Sequence, residues 1–188
     1  KTREGGVMPL SELYNIVYNA ALERVSTSDF SSEQDKAETA RKITVAAIKF
    51  GDLINHRLKD YVFDLEKFLA AEGKTGPFLL YTIARINSIL KKLDTDGSNV
   101  DFTYNITSDT ERDLILKLAL SNEAFMSAFT ERAPNYVCEN AYQIASVFSK
   151  FYHDNHIISE TDSDKKAFWI SLCILTKAML LKHLDILG

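Results

Sequence analysis

Two aromatic rings and a guanidinium recur at helical spacing in the stretch from Glu72 to Leu90. At about 100° per residue, Phe78, Tyr81 and Arg85 lie side by side on one stripe. Such rings can stack on nucleic-acid bases, and a guanidinium can hold a phosphate. The same spacing also suits two rings that pack on a neighbouring helix beside a solvated arginine. Spacing alone favours packing and leaves a nucleic-acid contact open.

The chain around this stripe predicts an amphipathic helix that begins in the glycine-containing loop EGKTGP. Thr75 can act as its N-cap, because the hydroxyl can accept a hydrogen bond from a backbone N–H one turn on. Pro77 then lies at or near the first helical position, where its missing N–H costs little. An apolar stripe, rotated by about 140° from the aromatic one, is expected to face the core and consists of Leu79, Ile83, Ile86 and Leu90. The aromatic stripe should therefore face away from that core.

Charge is distributed unevenly along the chain. The net charge of −4 argues against a general binder of polyanions. Residues 41–92 nevertheless contain 10 basic and 5 acidic side chains, and this basic region includes the aromatic stripe. Such a region is compatible with a nucleic-acid contact. A solvated helical face can show the same excess by chance, so the charge pattern does not decide between the two.

Motifs for metal or nucleotide chemistry are absent from the sequence. The four His and two Cys do not occur at zinc-ligand spacing, and there is no HExxH, GxSxG, Walker or GxGxxG motif. His153 and His156 are three residues apart, but their position at a predicted helix end favours a polar helix terminus over a metal pair. Cys138 and Cys173 are expected to be buried, reduced thiols of a cytoplasmic protein. No apolar run reaches the length of a membrane span.

Capping residues and apolar periodicity predict an all-α helical bundle of about seven or eight helices. Ser108 and Glu111 form a capping-box pattern, and Ser32 with Asp35 forms a weaker one. Tyr61 to Phe63 would suit an extended segment. Besides the helix after Thr75, helices are predicted over Pro9–Val25, Ser32 to about Phe50, Asp64–Ala71, Asp109–Leu120, Glu123–Arg132 with Asn122 as cap, Asn135–His153, and Ser163 or Asp164 to Leu187.

Three strings, in the right order, resemble the C-terminal portion of arginyl-tRNA synthetase, a class I aminoacyl-tRNA synthetase. The most specific is EGKTGPFLLYTIAR, which is similar to the family form EGNTGPYLQY…AR. The first residues, KTREGGVMPLSELYNIVYNAALER, resemble the segment that carries the family's degenerate signature loop. The part from ERDLILKLAL to HLDILG resembles the family's helical anticodon-binding domain, called DALR.

The resemblance implies a parent enzyme that activates arginine with ATP and magnesium and transfers it to the 3′ end of arginine tRNA. The HIGH-type motif that class I enzymes use to bind ATP is missing here, so the resemblance implies an inactive fragment with no cofactor or metal of its own. Residues 1–75 are expected to end the catalytic domain, and residues 76–188 to form the DALR domain. The expected partner is arginine tRNA through its anticodon arm, without DNA or a membrane.

The resemblance assigns a signature-loop role to the first residues of the chain. Lys1, Thr2 and Arg3 match the family's KTR, whose lysine would lie near the ATP phosphates in the parent. Because the ATP pocket is missing, these residues are expected to form an idle terminus. No other catalytic residue is expected in the chain.

The resemblance also assigns tRNA contacts. Phe78, Tyr81 and Arg85 match family positions that face the tRNA, although the usual tyrosine at the first position is replaced by Phe78. Lys74 replaces the usual asparagine and adds charge to the loop. Tyr152 matches an aromatic residue of the anticodon pocket, but its helical angle places it near a core stripe. Binding and packing therefore both stay open for Tyr152.

Two other interpretations compete with this one. A helical protein–protein interaction module derived from a synthetase would suit the net charge of −4. Another class I synthetase, such as the cysteinyl enzyme, is disfavoured by GKTGP followed by LLYTIAR. The parent is expected to be a monomer, with the small-residue face from Ala37 to Gly51 docking on the catalytic domain. The isolated fragment could then self-associate artificially through that face.

Overall fold

The computed structural model describes residues 8–26, 32–95, 100 and 103–188. This part of the chain contains eight α-helices and a short 3₁₀ helix, and no strand. The α-helices are α1 (Leu10–Val25), α2 (Glu33–Leu53), α3 (Leu65–Leu69), α4 (Gly76–Lys92), α5 (Asp109–Ala119), α6 (Ser121–Glu131), α7 (Asn135–Asp154) and α8 (Ser163–Leu187), with the 3₁₀ helix at Ile157–Ser159. The prediction of an all-α fold is confirmed.

The larger of two apolar cores lies between α4, α5, α7 and α8. The predicted apolar stripe of α4 is buried in it, and Ile144 and Phe148 of α7 are fully buried there as well. Trp169 and Leu172 of α8 also belong to this core. Burying a large apolar side chain contributes roughly 1.5–3 kcal/mol, so these stripes hold the bundle together.

A smaller core lies between α1, α2 and α3. Ala40, Thr44, Ala47 and Gly51 of α2 are buried there or against α4. The small-residue face therefore packs inside this molecule, and its predicted role as a docking surface is wrong. Leu10, the first residue of α1, is 70% exposed.

The start of α4 is positioned by a hydroxyl cap and by a close approach to α2. The Thr75 hydroxyl accepts a hydrogen bond from the backbone N–H of Phe78 at 3.1 Å and donates one to the carbonyl of Ala70 at 2.6 Å. Gly76 lies so close to α2 that a Cβ on it would overlap the carbonyl oxygen of Ala46. The sequence predicted the Thr75 cap, but the close approach of Gly76 to α2 could be seen only in the tertiary structure.

The predicted bounds of α2, α3 and α6 differ from the structure, and α2 runs to Leu53 rather than to about Phe50. The segment α3 is only five residues long, with the Asp64 side chain capping the N–H of Lys67 at 3.2 Å. The helix α6 begins at Ser121, and Leu120 precedes it without a side-chain cap. The predicted Asn122 cap is therefore wrong, because Leu120 ends α5 and opens α6 with almost no loop between them.

Candidate nucleic-acid interface

Arg85 on α4 lies against two tyrosine rings. Its guanidinium carbon is 4.7 Å from the centre of the Tyr81 ring and 5.2 Å from the centre of the Tyr152 ring. One guanidinium nitrogen donates a hydrogen bond to the Tyr81 hydroxyl at 2.9 Å. A cation placed on aromatic faces in this way gains roughly 0.5–2 kcal/mol per contact. The structure therefore brings together three of the residues singled out in the sequence.

Tyr81 presents much of its ring to solvent. The residue as a whole is 50% exposed. Both it and Arg85 are on α4 one turn apart, so the helix fixes their relation. An exposed ring held by a neighbouring cation offers a face on which a base can stack.

Tyr152 packs on the core and also contacts Arg85. Its ring stacks on Phe148 of the core, with centroids 6.3 Å apart and an interplanar angle of 16°. The half-buried side chain also meets Arg85 across the α4–α7 contact. Core packing thus orients the ring that touches the guanidinium, and any contact of this ring with RNA stays a prediction.

Phe78 occupies a different environment from the one expected. It is half-buried against the larger core, and its ring centroid lies 6.0 Å from that of Tyr142 on α7. The expectation that the whole aromatic stripe faces away from the core is therefore wrong for Phe78. Tyr142 was not singled out in the sequence, since nothing local distinguishes it from the other side chains on the flank of α7.

Lys74 is held by an ion pair. Its Nζ lies 2.7 Å from Oε2 of Glu139 and 5.5 Å from the Tyr142 ring centre. Gln143 donates to the other oxygen of Glu139 at 3.2 Å. The charge that Lys74 adds to the loop is therefore largely offset in this structure. Its predicted role in tRNA binding stays a prediction.

An open pocket of about 490 Å³ adjoins Arg85. It lies between α4, the C-terminal end of α7 and the 3₁₀ helix. Its lining consists of Arg85, Ser149, Tyr152, His153, Asn155, His156, Ile157, Ile158 and Ser159. The two histidines were interpreted as a polar helix terminus, which they are, but only the fold shows that they share a pocket with Arg85.

Other predicted features concern metal and thiol chemistry. The described residues contain no cluster of three or more His, Cys, Asp or Glu side chains that could hold a metal ion. Cys138 and Cys173 are buried and free, and burial raises the pKa of each thiol to about 12. Neither is a reactive nucleophile at neutral pH, because the thiolate is the reactive form. Lys1, Thr2 and Arg3 lie outside the described residues.

Comparison with known families assigns the region that contains this cluster. The family model described as the DALR anticodon binding domain matches residues 79–188. The chain belongs to the DALR anticodon-binding domain family. A second model, described as the class I tRNA synthetase (R) catalytic domain, matches residues 1–65. Tyr81, Arg85, Tyr152 and the adjoining pocket therefore all lie within the DALR match.

Curated relatives of this DALR-domain chain include two bacterial arginine–tRNA ligases. The one from Alkaliphilus oremlandii is 43% identical over 189 residues, which is 100% of this chain and 32% of the relative. The one from Agathobacter rectalis is 39% identical over 198 residues, which is 100% of this chain and 33% of the relative. The chain thus spans about a third of the length of these relatives.

Solved structures share the fold of the DALR-domain chain. Thermus thermophilus arginyl-tRNA synthetase matches with a TM-score of 0.85 at 24% identity, over 98% of this chain and 32% of that one. Plasmodium falciparum arginyl-tRNA synthetase matches with a TM-score of 0.75 at 24% identity, over 95% of this chain and 31% of that one. Within the described residues, no helix is both long and apolar enough to cross a membrane.

Proposed function

We propose that this chain is the tRNA-binding C-terminal portion of an arginine–tRNA ligase and that it recognises the anticodon arm of arginine tRNA. The observation that carries the proposal is the match of residues 79–188 to a domain described as anticodon-binding. The Arg85 cluster lies in that region and supplies an exposed ring beside a cation, which are the groups that bind single-stranded RNA. The bacterial relatives named arginine–tRNA ligase support the choice of tRNA.

In this proposal, the aminoacylation reaction takes place in a part of the enzyme that lies outside this chain. Residues 1–75 would end the catalytic domain, and residues 76–188 would form the tRNA-reading domain. The match of the catalytic-domain model to residues 1–65 supports this division. The parent enzyme would use ATP with magnesium in the cytoplasm as a monomer, and this chain alone would be inactive. Lys1, Thr2 and Arg3 would be the remnant of its signature loop.

Each proposed contact has a distinct physical role. Tyr81 would stack on an unpaired base, because the residue is 50% exposed. Arg85 would hold a phosphate while the tyrosine rings keep its guanidinium in place. Tyr152 would brace Arg85 from the core side. Phe78 and Lys74 would act from the edge of the site, since Tyr142 and Glu139 already engage them.

Binding of an arginine tRNA transcript to the protein tests the proposal. Replacing Tyr81 with Ala should weaken binding by on the order of 1–3 kcal/mol, which is the usual value of one base–aromatic stack. Tyr61→Ala is the matched control, because Tyr61 is 42% exposed and its hydroxyl is also hydrogen-bonded, to Asp52 at 2.9 Å. Wild-type affinity should fall as salt rises, since neutralised phosphates release counterions.

The outcomes separate the proposal from its rival. If the wild type shows no tRNA binding at low salt, the tRNA-binding function is wrong and a protein–protein interaction module takes its place. If other purified tRNAs bind as tightly as arginine tRNA, the proposed specificity is wrong. Equal weakening by Tyr81→Ala and Tyr61→Ala would contradict the stacking role of Tyr81.

A further inference from the structure

The segment between α2 and α3 exposes two large aliphatic side chains. Val62 is 89% exposed and Leu58 is 80% exposed. Of the large apolar residues that the structure describes, only Phe129 is as exposed as either. Tyr61, which precedes Val62, is exposed as well. Three apolar residues that face solvent within five positions of the chain indicate a surface that contacts another part of a protein.

Polar contacts hold this segment in a defined conformation. One guanidinium nitrogen of Arg57 donates hydrogen bonds to the carbonyls of Arg132 at 2.7 Å and Glu131 at 3.1 Å. The hydroxyl of Tyr61 donates one to the carboxyl of Asp52 at 2.9 Å. The segment therefore presents its apolar side chains from a positioned backbone, which keeps the entropy cost of docking low.

A small groove of about 180 Å³ lies beside Val62. Val62 lines it together with Ile54 and Phe68. The ring of Tyr61 stacks near Phe68, with centroids 6.1 Å apart. An aliphatic side chain beside an apolar groove can interlock with a partner surface that has the complementary shape. Burying one aliphatic side chain in this way contributes roughly 1.5–3 kcal/mol.

The charges of this segment cancel. Residues 57–67 contain three basic and three acidic side chains. Lys67 lies 3.4 Å from Asp64, and Arg57 is engaged by backbone carbonyls. A surface that binds RNA phosphates needs an excess of cations. This surface therefore fits an apolar protein partner better than a nucleic acid.

The comparisons with known families indicate which protein surface that is. Residues 57–62 lie within the part of the chain that the catalytic-domain model matches. The chain spans 32% and 33% of the length of the two bacterial arginine–tRNA ligases. The small-residue face of α2, which was the other candidate for contact with the catalytic domain, is buried inside this molecule.

We infer that Leu58 and Val62 dock on the rest of the catalytic domain in the parent enzyme, and that the groove beside Val62 receives an apolar side chain of that domain. The inference rests on the proposed function, because it takes this chain as the C-terminal portion of a longer ligase. The contacts of Arg57 with the end of α6 then tie the anticodon-binding helices to the docked segment.

Hydrogen exchange of the isolated chain and of the full-length enzyme, both without RNA, tests the docking. The backbone N–H groups of residues 57–62 should exchange at least about tenfold more slowly in the full-length enzyme. Residues 103–107 are the control segment, because they also lie outside the helices but belong to the DALR match. Their exchange should be the same in both proteins. Equal exchange of residues 57–62 in the two proteins would overturn the inference.

A double substitution provides a second measurement. Leu58→Asp with Val62→Asp should lower the unfolding temperature of the full-length enzyme by about 5 °C or more. The isolated chain should lose less than about 2 °C, because substitutions at exposed sites usually change stability little. Leu58→Ser with Val62→Ser is a milder pair for the same comparison.

Leu116→Asp is the matched control for these variants, because Leu116 is an exposed leucine of α5 within the DALR match. It should change the unfolding temperature of the two proteins equally. If the double substitution also lowers both temperatures equally, the docking inference is wrong.

The possible results distinguish this inference from its rivals and from the proposed function. If the double variant of the isolated chain loses as much tRNA affinity as Tyr81→Ala, the segment contacts RNA and the inference is wrong. If the isolated chain is a dimer that the double substitution dissociates while the full-length enzyme is unaffected, the segment joins two copies instead. Absence of tRNA binding by the wild type would overturn the proposed function, whereas tRNA binding without protection of residues 57–62 would overturn only the docking.

Discussion

The indole of Trp169 on α8 donates a hydrogen bond to Oε1 of Glu111 on α5 at 2.8 Å. Glu111 is fully buried, and its other oxygen accepts from the backbone N–H groups of Thr107 at 2.7 Å and Ser108 at 3.0 Å. One side chain therefore closes the capping box of α5 and joins that helix to α8. A buried polar group is costly when it is left without partners, so this junction should be sensitive to small changes.

Glu111→Gln should destabilise the protein by about 1–3 kcal/mol. Both carboxyl oxygens face N–H donors, so either orientation of the amide turns its NH₂ group towards a donor. Urea unfolding measures the loss of free energy of unfolding. Glu123→Gln, at an exposed position of α6, should change it by less than about 0.5 kcal/mol. Equal values for the two variants would contradict the role of the buried junction.

Gly76→Ala should destabilise the protein by about 1–3 kcal/mol or more. The added methyl group would overlap the backbone carbonyl of Ala46, which cannot rotate away as a side chain could. To remove this overlap, α4 would have to move away from α2. That movement would displace Tyr81 and Arg85, which lie on α4. Thermal unfolding reports the effect, and Ala84→Ser at an exposed site of the same helix is the control. Unchanged stability in Gly76→Ala would show that α2 and α4 can separate freely.

His183 should make stability fall as the solution becomes acidic. The ring is fully buried between the carbonyl of Met179 at 2.6 Å and the side chain of Asn140 at 2.7 Å, and burial lowers its pKa below the ordinary 6.5. Between the lowered pKa and about 6.5 the unfolded chain binds a proton that the folded chain does not, so stability rises with pH in that window. The contribution is fully present above about pH 6.5.

Unfolding by urea at several pH values from 5 to 7.5 measures this dependence. His183→Gln removes the titrating ring and should flatten the rise in stability between pH 5 and 6.5. His56→Gln removes a partly exposed ring instead and serves as the comparison. A rise that is as steep in His183→Gln as in the wild type would contradict the assignment to the buried histidine.

Arg85→Lys should weaken tRNA binding although it keeps the charge. A lysine ammonium cannot lie flat against Tyr81 and Tyr152 as the planar guanidinium does, and it cannot offer the same paired donors. A loss of roughly 0.5–2 kcal/mol is expected, because without the cation–π contacts the cation is no longer held in place for the phosphate. Arg112→Lys makes the same change at an exposed ion pair with Asp109 on α5. Equal tRNA affinity of Arg85→Lys and wild type would mean that charge alone matters.

Local sequence predicted what local interactions control. The caps at Ser32, Thr75 and Ser108 were correct, because each hydroxyl bonds a backbone N–H within one turn of itself. The predicted start of α6 was wrong because Leu120 is both the last flanking residue of α5 and the residue that precedes α6. Ser121 is buried, and its hydroxyl donates a hydrogen bond to the carbonyl of Lys117 at 3.3 Å. The packing at the α5–α6 junction therefore determines where α6 begins, and the capping preference of Asn122 does not.

At the candidate site too, the sequence predicted the contacts within α4 but not those between α4 and other helices. Helical periodicity placed Tyr81 and Arg85 on a common face, and the structure confirms their contact. Helical periodicity could not show that Phe78 packs on Tyr142. The helix α7 is some 60 residues away in the chain, and its contact with α4 depends on the packing of the larger core. For the same reason, the sequence could not predict that Lys74 forms an ion pair with Glu139.

By itself, the sequence determined the all-α class, the helix caps at Ser32, Thr75 and Ser108, the apolar stripe of α4 and the resemblance of EGKTGPFLLYTIAR to its family. These depend on residue types and on spacings within one or two turns of a helix. Only the tertiary structure decided that Tyr152 meets Arg85, that two histidines share a pocket with that arginine, and that Trp169 reaches Glu111. Such contacts join helices distant in the chain, and they depend on how several buried faces pack at once.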